Sequence, residues 1–238
     1  MLHALGLEMP KQIFGHPWML FGNDKMSKSK GNIVYADDLV SKYGVDAVRF
    51  YMIHEMPFAA DGVYTEDLLI EAINANLANV LGNLVNRTIG MVNKYFDGIV
   101  TNTNVTDDID KDFINEILNL NKQVDENINK FRIADSLENI IDAYRRCNKY
   151  IDETMPWVLA KDESKHDRLN TVLYNLVEAI RIVTVLLQAY LPATAKSIFK
   201  QINTDVNEYE STFKFGMYQS GTKVNDPEAL FMRIEKEK

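Results

Sequence analysis

"LVEAIRIVTVLLQAYL", residues 176–191, is the most apolar run in the chain. It decides between a membrane span and a buried helix. A span needs about 20 mostly apolar residues. This run is shorter and is broken by Glu178, Arg181 and Gln188. It reads as a buried helix inside a bundle, because its apolar residues face every side.

The helical pattern extends in both directions. The buried run belongs to a helix over about 166–190. Pro192 starts a short further helix ending near Ile202, since proline is tolerated in a first turn. Upstream, "DETMPW" (152–157) is a break: Pro156 restrains Met155 and cannot continue a helix. Before it, a helix over about 134–152 turns Leu137, Ile140, Ile141 and Tyr144 inward. Another over about 109–130 turns Phe113, Ile117, Val124 and Ile128 inward. "TNTNVTDD" (101–108) is the polar loop before that pair.

The first long helix starts at Thr65, a good N-cap, with Glu66 and Asp67 where the helix dipole favours acids. It runs to about Phe96 and stops at Asp97-Gly98. Leu69, Ile73, Leu77, Val80, Leu81, Leu84, Met91 and Val92 form its apolar face. Ahead of it the pattern is mixed. "QIFGHPWMLFG" (12–22) reads as strand pieces about a turn at His16-Pro17. "YADDLVSKYG" (35–44) reads as a short helix closed by Gly44. "DAVRFYMIHEM" (46–56) reads as a helical turn leading into a strand over "RFYMI", ended by Pro57. The tail, 203–238, is polar and irregular, with "FKFG" (213–216) and "LFMRI" (230–234) as docked extended or helical pieces.

The expected fold is mainly α: an antiparallel helical bundle preceded by a short α/β segment. The expected division is 1–62, 63–202 for the bundle, and 203–238 packing back on the core. With 46% hydrophobic and 25% charged residues, the 238-residue chain has an ordinary globular composition. The single Cys147 excludes an internal disulfide and fits a reducing cytosol. No signal-peptide pattern or Cys/His metal cluster is present, so the expectation is no membrane partner and no protein-held metal. The net charge of −8 argues against bulk electrostatic binding of nucleic acid. A nucleic-acid site would need a local basic patch and contacts to bases.

Two stretches carry chemistry. "GNDKMSKSKGN" (22–32) packs three lysines, two serines and two glycines into eleven positions. Ammonium groups on flexible stems follow charge as it moves, and hydroxyls add donors. The stretch reads as a mobile phosphate-binding loop or as an idle solvated one. On the first long helix, Asn76, Asn79, Asn83, Asn86, Arg87 and Gly90 recur at three- and four-residue spacing along one side. Amides and a guanidinium can read base edges. The chain has 22 asparagines, so a merely solvated face fits as well. Trp157, after Pro156 in a break, is either a core plug or an exposed platform. "RRCNK" (145–149) is a small basic cluster that is solvated or touches phosphates, and Cys147 within it reads as packing.

The order of letters goes further. Lys25-Met26-Ser27-Lys28-Ser29 reproduces the lysine-rich signature loop of class I aminoacyl-tRNA synthetases, between "GHPWMLFGND" and "GNIVYADDLVSKYGVDAVRFYMI". With "NLVNR" (83–87) and "DETMPWVLAK" (152–161), the chain resembles bacterial-type methionyl-tRNA synthetases over essentially its whole length. That resemblance implies ATP-dependent attachment of methionine to its tRNA, with Mg²⁺ sharing the triphosphate charge. Lys28 would be the catalytic cation facing the departing pyrophosphate. Lys25, Met26, Ser27, Lys28 and Ser29 would form the ATP-binding loop. Asn83, Arg87 and Trp157 would read the CAU anticodon. The stretch 35–56 resembles the family's stem-contact region.

Two departures stand out. His16-Pro17 replaces a frequent His-Gly, and the second ATP motif of the family, His-Ile-Gly-His-like, is absent. The resemblance therefore implies an excised C-terminal portion, with no cofactor bound and no adenylate made alone, partnered by methionine tRNA and the rest of the catalytic domain. A rival class I synthetase is disfavoured by "NLVNR" together with "MPW". A non-catalytic tRNA-binding module has no need of an intact "KMSKS".

Overall fold

The computed structural model describes residues 2–22, 24–57 and 60–235. The front segment is a small sheet and two helices. Strand β1 (Met19–Phe21) pairs antiparallel with β2 (Asp24–Lys25), in register Leu20 with Lys25. It also pairs parallel with β3 (Gly62–Tyr64), Leu20 opposite Val63. Of the stretch 12–22, only Met19–Phe21 is strand; His16 and Pro17 lie in the irregular lead-in.

Helix α1 (Ala36–Tyr43) ends at Gly44, whose φ of 84° is open only to a residue without Cβ strain. Helix α2 (Val45–His54) follows at once. The strand expected over "RFYMI" is thus corrected to helix. Ala47, Val48, Phe50 and Tyr51 are all buried, the spacing of a helical stripe. Aromatic and branched residues favour strands only weakly, and packing overrides that preference.

From Thr65 the chain is helical to Phe96. Thr65 accepts the Leu68 N–H at 3.2 Å, as the N-cap reading requires. The rod comprises α3 (Glu66–Ala72), a π-helical segment (Ile73–Gly82) and α4 (Asn83–Phe96). The wider π turn is absent from the sequence expectation. It rolls Asn76 under, to 9% exposed, while Asn79, Asn83 and Asn86 stay outside. The asparagine face is therefore split. Asp97, at φ 50°, ends α4.

Strand β4 (Ile99–Val100) leads to α5 (Asp108–Asn129), which opens with a capping box between Asp107 and Asp110. Ile128, in the last turn of α5, is 39% exposed and not inward as expected; the chain continues through α6 (Ile133–Thr154). The short α7 (Pro156–Leu159) precedes α8 (His166–Leu187) and α9 (Pro192–Ile202). Helix α8 is the spine: every residue from Thr171 to Leu187 is buried. The two charges within its buried run pair with each other, Arg181 Nε donating to Glu178 Oε2 at 2.7 Å.

The tail docks through specific bonds. Backbone N–H groups of Gly216 and Met217 donate to Glu178 Oε1, both at 2.8 Å. Strand β5 (Thr222–Lys223) pairs with β4. The Asn74 amide then clamps Ile234, accepting its N–H and donating to its carbonyl, each at 2.8 Å.

Candidate functional site

The lysine-rich loop leaves the sheet at Lys25. Ser27 caps the 3₁₀ turn Lys28–Lys30 by accepting the Lys30 N–H on its hydroxyl at 3.3 Å. Gly31, at φ 67°, reverses the chain. The Asn32 side chain then reaches back: its Oδ1 accepts the Ser27 N–H at 2.8 Å, and its Nδ2 donates to the Lys25 carbonyl at 3.3 Å. Ser27 and Ser29 share a hydroxyl hydrogen bond at 3.1 Å. The Lys25 ammonium lies 4.5 Å above the Trp18 ring, a cation–π contact. Lys30 pairs with Asp24 at 3.1 Å. Met26 packs against the core. Lys28 is exposed, and its ammonium has no hydrogen-bond or ion-pair partner among the described residues. One lysine of three is therefore ready for an anion.

The second arrangement sits on the bundle. Asn83, exposed, opens α4, and Arg87 follows one turn later. Arg87 Nη2 lies 3.8 Å from Asp152 Oδ1 near the end of α6. Met155, in left-handed backbone at φ 46°, turns the chain so that Trp157 projects from α7. The indole is 40% exposed, beside Met155 at 45% and Val158 at 43%. The residue is at the surface and is not a core plug. The Arg87–Asp152 contact ties the asparagine–arginine helix to the break that carries Trp157. Asn79 and Asn86 share with Asn83 a groove of about 460 Å³, closed on one side by Phe231 and Arg233 of the tail. The tail's part in that groove has no signal in the sequence.

Beneath the break lies a buried anchor. Arg168 grips Asp110 with both guanidinium nitrogens, at 2.7 and 2.8 Å. Tyr150 of α6 donates to the same carboxylate and receives the Asn175 amide at 3.2 Å. Burial, then the Asp110 hydrogen bond, pushes the Tyr150 hydroxyl well above its ordinary range. This tyrosine stays protonated and joins α5, α6 and α8 near the break at Met155.

The basic cluster 145–149 is spent internally. Arg145 donates to Glu138, Asp142 and Asn76, each at 2.6 Å. Arg146 pairs with Glu116 and Glu153. Cys147 is fully buried, and burial pushes its thiol up to about 12, so it packs and does not react. Among the described residues no hydrogen bond or ion pair joins the lysine loop to Asn83, Arg87 or Trp157.

Comparison with known proteins agrees with both ends. The profile described as tRNA synthetases class I (M) matches residues 1–89. The profile described as the anticodon binding domain of methionyl tRNA ligase matches residues 100–238. The chain is 50% identical over 240 residues to the methionine–tRNA ligase of Caldanaerobacter subterraneus, covering all of this chain and 38% of that one. It is 48% identical over 237 residues to that of Clostridium tetani, covering 37% of it. A solved Mycobacterium tuberculosis methionyl-tRNA synthetase bound by methionyl-adenylate superposes with a TM-score of 0.89 at 33% identity, over 97% of this chain and 46% of that one. The chain thus spans under two fifths of the length of these curated relatives. On these matches across its whole length, the chain belongs to the class I methionyl-tRNA synthetase family.

Proposed function

We propose that the chain is the part of a cytosolic methionine–tRNA ligase that supplies a cationic loop for ATP and a helical platform for the CAU anticodon of methionine tRNA. In this reading Lys28 stabilises charge that develops on the pyrophosphate as the α–β bond breaks. An interaction strongest at that moment raises the rate, whereas equal ground-state binding would not. Lys25, Ser27 and Ser29 place the phosphates, and Met26 anchors the loop to the core. Mg²⁺ finds no carboxylate set here. Asp24 is engaged by Lys30, and among the described residues no group of three or more Asp, Glu, His or Cys gathers. The ion would arrive on the triphosphate, and no step assigned to this chain depends on it.

On the platform, Trp157 stacks on a base while Asn83 and Arg87 hydrogen-bond to base edges. The observation that supports the reading is the exposed indole on the short helix that follows Asp152, the residue paired with Arg87. The test is binding of the chain to methionine tRNA and to the same tRNA with an altered anticodon. We expect a loss of about tenfold or more for the variant, the worth of one stacked or paired base. Equal affinity for both would end the anticodon reading.

A further inference from the structure

The geometry points to Asn32 as a positioning residue of the lysine-rich loop: its amide fixes the backbone from Lys25 to Ser27, and with Trp18 holding the Lys25 ammonium it leaves Lys28 as the cation presented to a linear polyphosphate. This inference rests on the phosphate reading of the loop and adds to it a residue outside the five-letter motif.

A loop rich in lysine and serine has many accessible shapes, and each must be given up when an anion binds. Asn32 removes much of that freedom beforehand. It is the one side chain described here that bonds both the Lys25 carbonyl and the Ser27 N–H. Fixing Ser27 in turn fixes the hydroxyl that caps the turn beginning at Lys28. The partnering of the cations is unequal: Lys25 rests on Trp18 and Lys30 pairs with Asp24, while Lys28 has neither kind of contact among the described residues. The Trp18 backbone is tethered, its main-chain N–H donating to Asp61 Oδ1 at 2.8 Å, so the cradle extends back to the loop before β3. Preorganisation of this kind raises affinity by cutting ordering costs, without adding a contact to the ligand.

An amide is suited to this place. It offers an acceptor and a donor on one rigid plane, matching one N–H and one carbonyl two residues apart. Alanine offers neither. Aspartate keeps the acceptor for Ser27 and loses the donor to Lys25.

The experiment uses the whole chain with inorganic tripolyphosphate as probe, reading loop amide shifts by NMR and the exchange rate of the Ser27 N–H. We expect Asn32→Ala to speed Ser27 exchange and to weaken tripolyphosphate binding by about tenfold, as for loss of a preorganising hydrogen bond. Asn32→Asp should keep Ser27 slow. Lys28→Ala should lose binding and leave Ser27 exchange unchanged. Tripolyphosphate binding by Asn32→Ala at the wild-type affinity would overturn the positioning role, as would slow Ser27 exchange in that variant. Absence of binding by the wild-type chain, with Ser27 protected, would instead strike down the phosphate reading and the inference with it.

Discussion

Glu178 and Arg181 stand one turn apart on the most apolar helix and are both fully buried, paired at 2.7 and 2.9 Å. The pair faces the tail, not the helical core. Arg181 also donates to the Ser211 hydroxyl at 2.8 Å and to the Ser211 carbonyl at 3.1 Å. Glu178 accepts three successive backbone N–H groups, from Gly216 to Tyr218. The charged interruptions of the apolar run are therefore part of the fastening of residues 206–218.

Removing one partner leaves a buried charge without compensation. Arg181→Met should destabilise the fold by about 3–5 kcal/mol. Denaturant unfolding measures this, and hydrogen exchange should show the loss first at Gly216–Tyr218. The double variant Glu178→Leu, Arg181→Met should cost clearly less than the two single changes summed, because neither charge is stranded.

Trp157 supplies the second prediction. With 40% of its surface exposed, Trp157→Ala removes little core. Affinity for methionine tRNA should fall by about 1–3 kcal/mol, the range for a stacked base, with helical circular dichroism unchanged. Filter binding measures the first quantity. Intact affinity would mean that the indole is not a stacking platform.

His54 gives a pH dependence. Its Nδ1 lies 2.8 Å from Glu55 and its Nε2 lies 2.5 Å from Glu138, so both nitrogens face carboxylates and both must carry protons. Burial alone would lower its pKa, but the two hydrogen bonds to Glu55 and Glu138 outweigh it, and the net direction is upward from 6.5. A group whose folded pKa is raised lends its full stability below the unfolded value and loses it as pH climbs through the folded one. The joint is made by α2 against α6 and continues from Glu138 through Arg145 to Asn76. Wild-type stability should therefore decline as pH rises above about 6.5, and His54→Gln should flatten that part of the profile. Chemical unfolding across this range decides it; identical slopes would remove His54 from the account.

Much of this architecture was legible in the sequence for a physical reason. Caps and breakers act locally, so Thr65, Gly44, Pro156 and Pro192 mark their helices where expected. The fate of side chains that choose partners across the fold was not. "RFYMI" looks like a strand until Phe50 and Tyr51 find the bundle. The π segment depends on packing along the whole rod, and it buries Asn76 while leaving Asn83 outside. Arg145 and Arg146 look like a basic patch until Asn76 and Glu116 are brought across from other helices. The lysine loop is the converse case. Its letters single it out, but only the fold shows that Asn32 holds its backbone and Trp18 its first lysine, while Lys28 has no ion-pair partner among the described residues.

The last prediction concerns Asp152. Arg87 and Asp152 are 3.8 Å apart with side chains 35% and 68% exposed, a surface pair worth about 0–1 kcal/mol. Asp152→Asn should leave unfolding free energy within about 0.5 kcal/mol of wild type. Its effect on RNA should be larger and of opposite sign to that of Arg87→Gln. The carboxylate competes with the nucleic acid for the guanidinium and repels nearby phosphates. Its removal should tighten tRNA binding several-fold at low salt and less at high salt, where surface charges are screened. Arg87→Gln should weaken binding at both salt concentrations and reduce discrimination against an altered anticodon. Titrations of the two variants at two salt concentrations separate these effects. Weaker binding by Asp152→Asn would mean that the carboxylate orients Arg87 towards the base, and the pair would then act as one reading unit.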